Sequence, residues 1–236
     1  MDSVDKLLRS ARSAPYGHLL PAEDRLFRVI AEEVQLHMMN YDASHDFDHI
    51  LRVLTLSMHI LALEYEDHDN QNKYDPTVVL LAALLHDVND RKYLPPAVNG
   101  QQTSKIALVL EQAGASADLA AIVETVVDHV SYSSEIKDPA KVQRALQQHP
   151  ELGIVQDADR IDAIGAIGIG RTFTFGGAKL PLAGMQNVRE HIDEKLEKLE
   201  GMMKTNTGRK MARKRTERLT MFKKWWDEET MLVTGI

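Results

Sequence analysis

His86 and Asp87 stand side by side at the end of the apolar run Leu80-Leu81-Ala82-Ala83-Leu84-Leu85, and Asp90 follows three residues later. A neutral imidazole and an ionised carboxylate are both good ligands for a divalent first-row metal. Carried inward on an apolar helix, such a pair is costly unless a metal or hydrogen bonds satisfy it. Adjacent helical side chains diverge by roughly 100°, so the two flank one ion only where the helix end lines a cavity. A helix that merely ends in a solvated His-Asp is the plainer alternative, and the rest of the chain weighs against it.

A second cluster, His45-Asp46-Phe47-Asp48-His49, sets two imidazoles four residues apart and so on one helical face. As a zinc-peptidase motif it falls short, because HDFDH has an aspartate where HExxH needs a glutamate, one methylene longer. A third cluster, Gln156-Asp157-Ala158-Asp159-Arg160-Ile161-Asp162, puts three carboxylates in an apolar setting. They repel unless a cation or Arg160 neutralises them. The chain has no cysteine, so a metal must be held by nitrogen and oxygen side chains. The clusters supply a His, a His-Asp pair and an Asp on three separate helices.

The elements that carry them read as helices throughout. One is predicted over residues 21–39, with Pro21 in its first turn. Another covers 45–66, where Ile50, Val53, Leu54, Met58 and Leu61 recur at core-facing spacing. Pro76 opens the helix that carries His86, and Pro95, Pro96 and Gly100 mark an irregular loop beyond it. Helices follow over 101–113, 117–130 and 138–148, and a single helix over 151–172. The loop FGGAKLPLAG then leads to two amphipathic helices, 187–203 and 209–230. Strand signals are nearly absent. The expectation is an all-α protein of one domain over 1–236, its core at about 25–175 and its C-terminal helices packed on that core.

Composition narrows the partners. A formal charge of −7 argues against indiscriminate nucleic-acid binding. No 18-residue apolar run is present, and MDSVDKLLRS carries no apolar leader segment, so no membrane partner and a cytoplasmic location are expected. The basic run Arg209–Arg215 leaves a nuclear address open. It reads better as a helix with Met211, Leu219, Phe222 and Trp226 on its apolar face.

With these clusters in view, the chain resembles the HD-domain metal-dependent phosphohydrolases, whose pattern is H…HD…D. The flanks HDFDHILRV, LLAALLHDV and QDADRIDAIGAIGIGRTF carry the likeness. The last, with HVSYS at 129–133 and TGRKMARKR, is similar to the branch containing bacterial nucleotide pyrophosphohydrolases. The likeness spans roughly residues 25–226. It implies a helical HD fold with a metal site between core helices. His49, His86, Asp87 and Asp159 are the implied ligands of one divalent transition metal, Mn²⁺ first, with Fe²⁺, Ni²⁺ or Co²⁺ as alternatives. Asp157 and Asp162 are left as acceptors behind the ligands or as surface residues, and His45 and Asp46 as braces of the first ligand helix.

The same resemblance implies the chemistry. A metal of this kind acidifies bound water and polarises a P–O bond. Asp90 takes the role of orienting or deprotonating the attacking water. Arg52, Lys92 and Arg160 are the expected phosphate-binding cations, Arg171 a weaker one, and His129 a contact to phosphate or to a water. The implied reaction is hydrolysis of a (deoxy)nucleoside triphosphate to monophosphate and pyrophosphate. A phosphomonoesterase acting on nucleoside monophosphates or small phosphorylated metabolites is the alternative, and a non-catalytic nucleotide-binding regulatory module is a third. The expected partner is a small phosphorylated molecule, with a homodimer compatible with everything above.

Overall fold

The computed structural model describes residues 1–39, 41–67, 70, 73–88 and 105–234. Short polar side chains write many of its helix starts. Asp46, Asp75, Ser116, Ser131 and Asp138 each accept a hydrogen bond from a backbone amide in the first turn that follows. After Asp75 and Asp138 the chain places Pro76 and Pro139 in the first turn, where an N–H has no helical partner to lose.

The helices are α1 (Asp2–Arg12), α2 (Arg25–Met38), α3 (Phe47–Tyr65), α4 (Pro76–Leu85), α5 (Lys105–Gln112) and α6 (Ala117–Asp128). They continue as α7 (Tyr132–Lys137), α8 (Pro139–Gln148), α9 (Glu151–Asp162), α10 (Gly165–Lys179), α11 (Gly184–Glu194) and α12 (Asn206–Thr234). The 3-10 segments Gly17–Leu19 and Leu196–Met202 are also present among the described residues. No strand occurs among the described residues, and the protein is all-α. No helix among them is long and apolar enough to cross a membrane.

Helix α4 is the axis of the core. Every residue from Pro76 to Leu85 is buried, as a segment without a polar face must be. It packs on α2, α3, α6 and α9. Each fully buried Leu or Val there contributes roughly 1.5–3 kcal/mol relative to exposure. Because α3, α4 and α9 are mutual neighbours, three clusters far apart in sequence meet at one end of the core.

The helical reading needs four local corrections. The predicted helix 151–172 is two helices, broken where Ile164 is extended and Gly165 takes φ +75°. That left-handed conformation suits glycine, and a Cβ there would also press on Arg215 at 3.1 Å. The predicted helix 187–203 ends at Glu194 and passes into the 3-10 segment. Half of the predicted FGGAKLPLAG loop is helical, because α10 runs on to Lys179. Gly176 lets it do so beside α11, since a Cβ there would stand 2.4 Å from Val188 Cγ2. Finally, α1 and α7 are additions. Val4, Leu8 and Ala11 form the buried stripe of α1, and α12 closes the far side by packing on α3, α9 and α10.

Candidate metal centre

His49 is placed by the first turn of α3. Asp46 caps that helix and accepts the His49 backbone N–H at 3.1 Å, so the expected brace is a helix cap. The imidazole is fully buried. Its Nδ1 lies 2.8 Å from Asp162 Oδ2. Asp162 in turn accepts from Arg52 Nε at 2.9 Å and Nη2 at 3.1 Å, and from Arg171 Nη1 at 3.0 Å. His86 follows the last turn of α4, with Nδ1 2.9 Å from the Ala83 carbonyl oxygen.

With each Nδ1 donating to an oxygen, each neutral ring presents a lone pair at Nε2. The two Nε2 atoms face each other at 3.1 Å inside the protein. Two lone pairs so placed repel unless something positive sits between or beside them. Two nitrogen ligands about 2.1 Å from one ion and at right angles would lie about 3.0 Å apart. Asp87 approaches His49 Nε2 at 3.3 Å and His86 Nε2 at 3.6 Å. Asp159 Oδ1 approaches them at 3.7 and 3.9 Å. Asp87 Oδ2 is buried and accepts no hydrogen bond. His49, His86 and Asp159 alone offer three ligand atoms within 4.8 Å of one another. These donors fit a divalent ion that favours nitrogen and oxygen.

The local field is consistent with that. Burial and the charge of Arg171 disfavour protonation of His49, but the hydrogen bond to Asp162 and the nearby charge of Asp87 outweigh them and raise its pKa. Burial also opposes the charge of Asp87, yet the neighbouring His86 and His49 hold its carboxyl far below the usual range. Asp162 is held low in the same way, burial being overcome by His49 and Arg52. Carboxylates kept ionised in this way are in the form that takes a metal cation.

The three acids of α9 separate by face. Asp159 turns toward the two histidines, and Asp162 backs His49. Asp157 points the other way, accepting Lys204 N at 2.7 Å and both the N–H and Oγ1 of Thr205 at 2.8 Å. Arg160 shares that second face. Expected at a phosphate, it is instead buried, donating to Glu135 Oε2 at 2.6 Å and the Met202 carbonyl at 3.0 Å. Arg52, expected at a phosphate too, is bound to Asp162. His129 directs Nδ1 to the Thr125 carbonyl at 2.7 Å, and its own carbonyl accepts from Gln156 Nε2 at 2.8 Å. Asp90 and Lys92 lie outside the described residues.

A cavity of about 400 Å³ opens beside these side chains. His45, His49, His86, Asp87 and Asp159 line one end, and α7, α10 and α11 supply the remaining wall. Arg171, Tyr132, His191 and Lys195 are on that wall. Of these, only Arg171 stood out in the sequence. His191 and Lys195, four apart on one face, carried no motif beyond that spacing.

Comparison with known proteins identifies the family and the fold. The model of the HD domain family matches residues 46–164. Bacillus subtilis YpgQ is 33% identical over 194 residues, 80% of this chain and 86% of its own. Its crystal structure in complex with ADP superposes with a TM-score of 0.65 at 30% identity, over 88% of this chain and 97% of that one. A Lactobacillus plantarum protein gives a TM-score of 0.70 at 26% identity, over 90% and 100% of the two chains. An HD-superfamily hydrolase from Bacillus thuringiensis gives 0.59 at 27% identity, over 87% and 96%. In sequence, in fold and in the meeting of His49, His86-Asp87 and Asp159, this chain belongs to the HD domain family.

Proposed function

We propose that this protein is a metal-dependent phosphohydrolase acting on nucleotides, and that its leading reaction cleaves a (deoxy)nucleoside triphosphate to monophosphate and pyrophosphate. The observation that carries the reading is the pair of Nε2 atoms 3.1 Å apart, both rings committed at Nδ1, with two carboxylates beside them. His49, His86, Asp87 and Asp159 would hold the ion, with Mn²⁺ the first choice. Bound there, it supplies a Lewis acid for a phosphoryl oxygen and an acidic water.

The chain's own residues do the rest. Asp162, held by Arg52 and Arg171, keeps the His49 lone pair directed at the cavity, and the Ala83 carbonyl does the same for His86. Asp90, close to the His-Asp pair in sequence, takes the proton of the attacking water. A nucleotide is the favoured substrate because the relative YpgQ was crystallised with ADP.

Turnover of a nucleotide panel with added Mn²⁺ tests this. Triphosphate should give monophosphate and pyrophosphate with no diphosphate intermediate, and label from ¹⁸O-water should enter one product in a single step. Phosphate release confined to monophosphates would move the protein to the phosphomonoesterases. A metal-loaded protein without turnover would make it a binding module.

A further inference from the structure

We propose that the outward face of α12 is a docking surface for a second copy of this chain, and that two α12 helices pair there antiparallel about a two-fold axis. The proposal does not depend on the metal centre or on the nucleotide reading above.

Helix α12 turns one side to the body of the protein. Gly208, Ala212 and Leu219 are buried on that side. Trp226 stacks on Phe173 there, with ring centroids 5.5 Å apart, and Lys223 is held by Asp193 and Glu197. The opposite side is a stripe of residues three and four apart: Lys210, Lys214, Arg218, Met221, Trp225 and Glu228. All six are exposed. Met221 and Trp225, on successive turns of the stripe, keep 51% and 54% of their surface in solvent. Methionine and tryptophan are residue types enriched where proteins meet.

The charges flanking this apolar pair specify the occupant. Lys210, Lys214 and Arg218 precede it and Glu228 follows it, so the stripe runs positive, apolar, negative. Such a face complements itself when two copies run antiparallel, whereas a parallel pair would set like charges opposite. A two-fold axis level with Phe222 brings Met221 and Trp225 of one copy against the same two residues of the other. It also sets Lys214 and Arg218 within one helical turn of level with Glu228 of the second copy, and Glu217 likewise with Lys224. The existing Lys224–Glu228 pair is 3.8 Å long and exposed at both ends, so it yields readily. Two-fold symmetry makes every such contact twice. A nucleic acid would fit the basic half alone, since Glu228, Glu229 and a net charge of −7 oppose it.

The test is the mass of the full chain in solution, by light scattering and sedimentation from about 1 to 100 µM, with melting temperature recorded for every variant. Wild type should reach twice the mass of one chain. Trp225→Ala, Arg218→Glu and Glu228→Lys should each raise the dimer dissociation constant ~10-fold or more. Leu182→Ser, which alters a 99% exposed leucine between α10 and α11, should leave it unchanged. Arg218→Glu and Glu228→Lys combined should dimerise ~5-fold more tightly than either alone, because each restores the other's partner across the axis. A wild type that stays monomeric overturns the proposal. So does a dimer indifferent to the three single changes, one weakened equally by Leu182→Ser, or a double variant no tighter than the singles. A monomer that retards duplex DNA overturns it too and gives the face to nucleic acid. Should a variant melt early, wild type decides: its dimer must weaken as ionic strength rises, and a salt-independent dimer removes the charge pairing.

Discussion

The carboxylate of Asp162 sits 2.8 Å from Nδ1 of His49, although 113 residues separate the two in sequence. The contact fixes which ring nitrogen keeps its lone pair. Asp162→Asn preserves the shape but replaces a full acceptor with an amide that can present N–H to Nδ1 and invert the tautomer. Metal affinity, read by competition with a chelator of known strength, should fall ~10–100-fold while the far-UV spectrum stays unchanged. An unaltered affinity would reduce Asp162 to an ion-pair partner of two arginines.

Metal removal gives the second expectation. Exhaustive chelation should abolish hydrolysis, and Mn²⁺ should restore it better than Ca²⁺, which prefers oxygen ligands. His86→Ala and Asp87→Ala should each lose bound metal and turnover together. Stoichiometric metal retained in both variants would mean that the ligands are other residues.

For Asp90 the expected signature is kinetic. Asp90→Asn should keep metal content and KM but lower kcat by ~10²–10⁴. A kcat equal to wild type would remove it from proton transfer.

Glu135 yields a pH-dependent prediction away from the metal ligands. Burial opposes its charge, but Lys204 and Arg160 prevail and hold its pKa below the ordinary 4.5. A group depressed in the folded state stabilises fully above its unfolded pKa, and that contribution is lost as pH falls through the folded value. Glu135→Gln should cost about 1–3 kcal/mol at pH 7, since it leaves the buried Arg160 without its anion. The gap in melting temperature between variant and wild type should narrow once pH drops below about 4.5. A gap that stays constant down to pH 3 would show that shape, not charge, makes the contact.

The meeting of the clusters was legible because residue type and order sufficed: His49, His86-Asp87 and Asp159 need only three helices ending in one place. Roles within α9 were harder. Helical spacing puts Asp157 with Arg160 on one face and Asp159 with Asp162 on another. It does not say that the first pair meets Glu135 and the Met202–Thr205 backbone. Those partners come from segments with no motif, and they turn an expected phosphate ligand into a structural arginine. Arg52 was expected at a phosphate on similar grounds. One turn from His49 brings it to the end of the core where the clusters meet, and there it is bound to Asp162, whose position depends on how α9 crosses α3. The break at Gly165 was hidden because an isolated glycine in an apolar helix is ordinary, and only the left-handed backbone there reveals the turn.

Helix α4 has no surface of its own, and that bears on how the site can be taken apart. Backbone amides of a segment buried along its whole length exchange with solvent only when the entire fold opens. Amides of Val79–Leu85 should therefore report the global unfolding free energy, and His86 cannot leave by local fraying of the helix that carries it. Any pathway by which the centre is emptied or filled without unfolding must run through its other members. Hydrogen-exchange rates measured with and without metal would then differ at α3 and α9, at the residues around His49 and Asp159, while α4 slows only as far as the whole protein does.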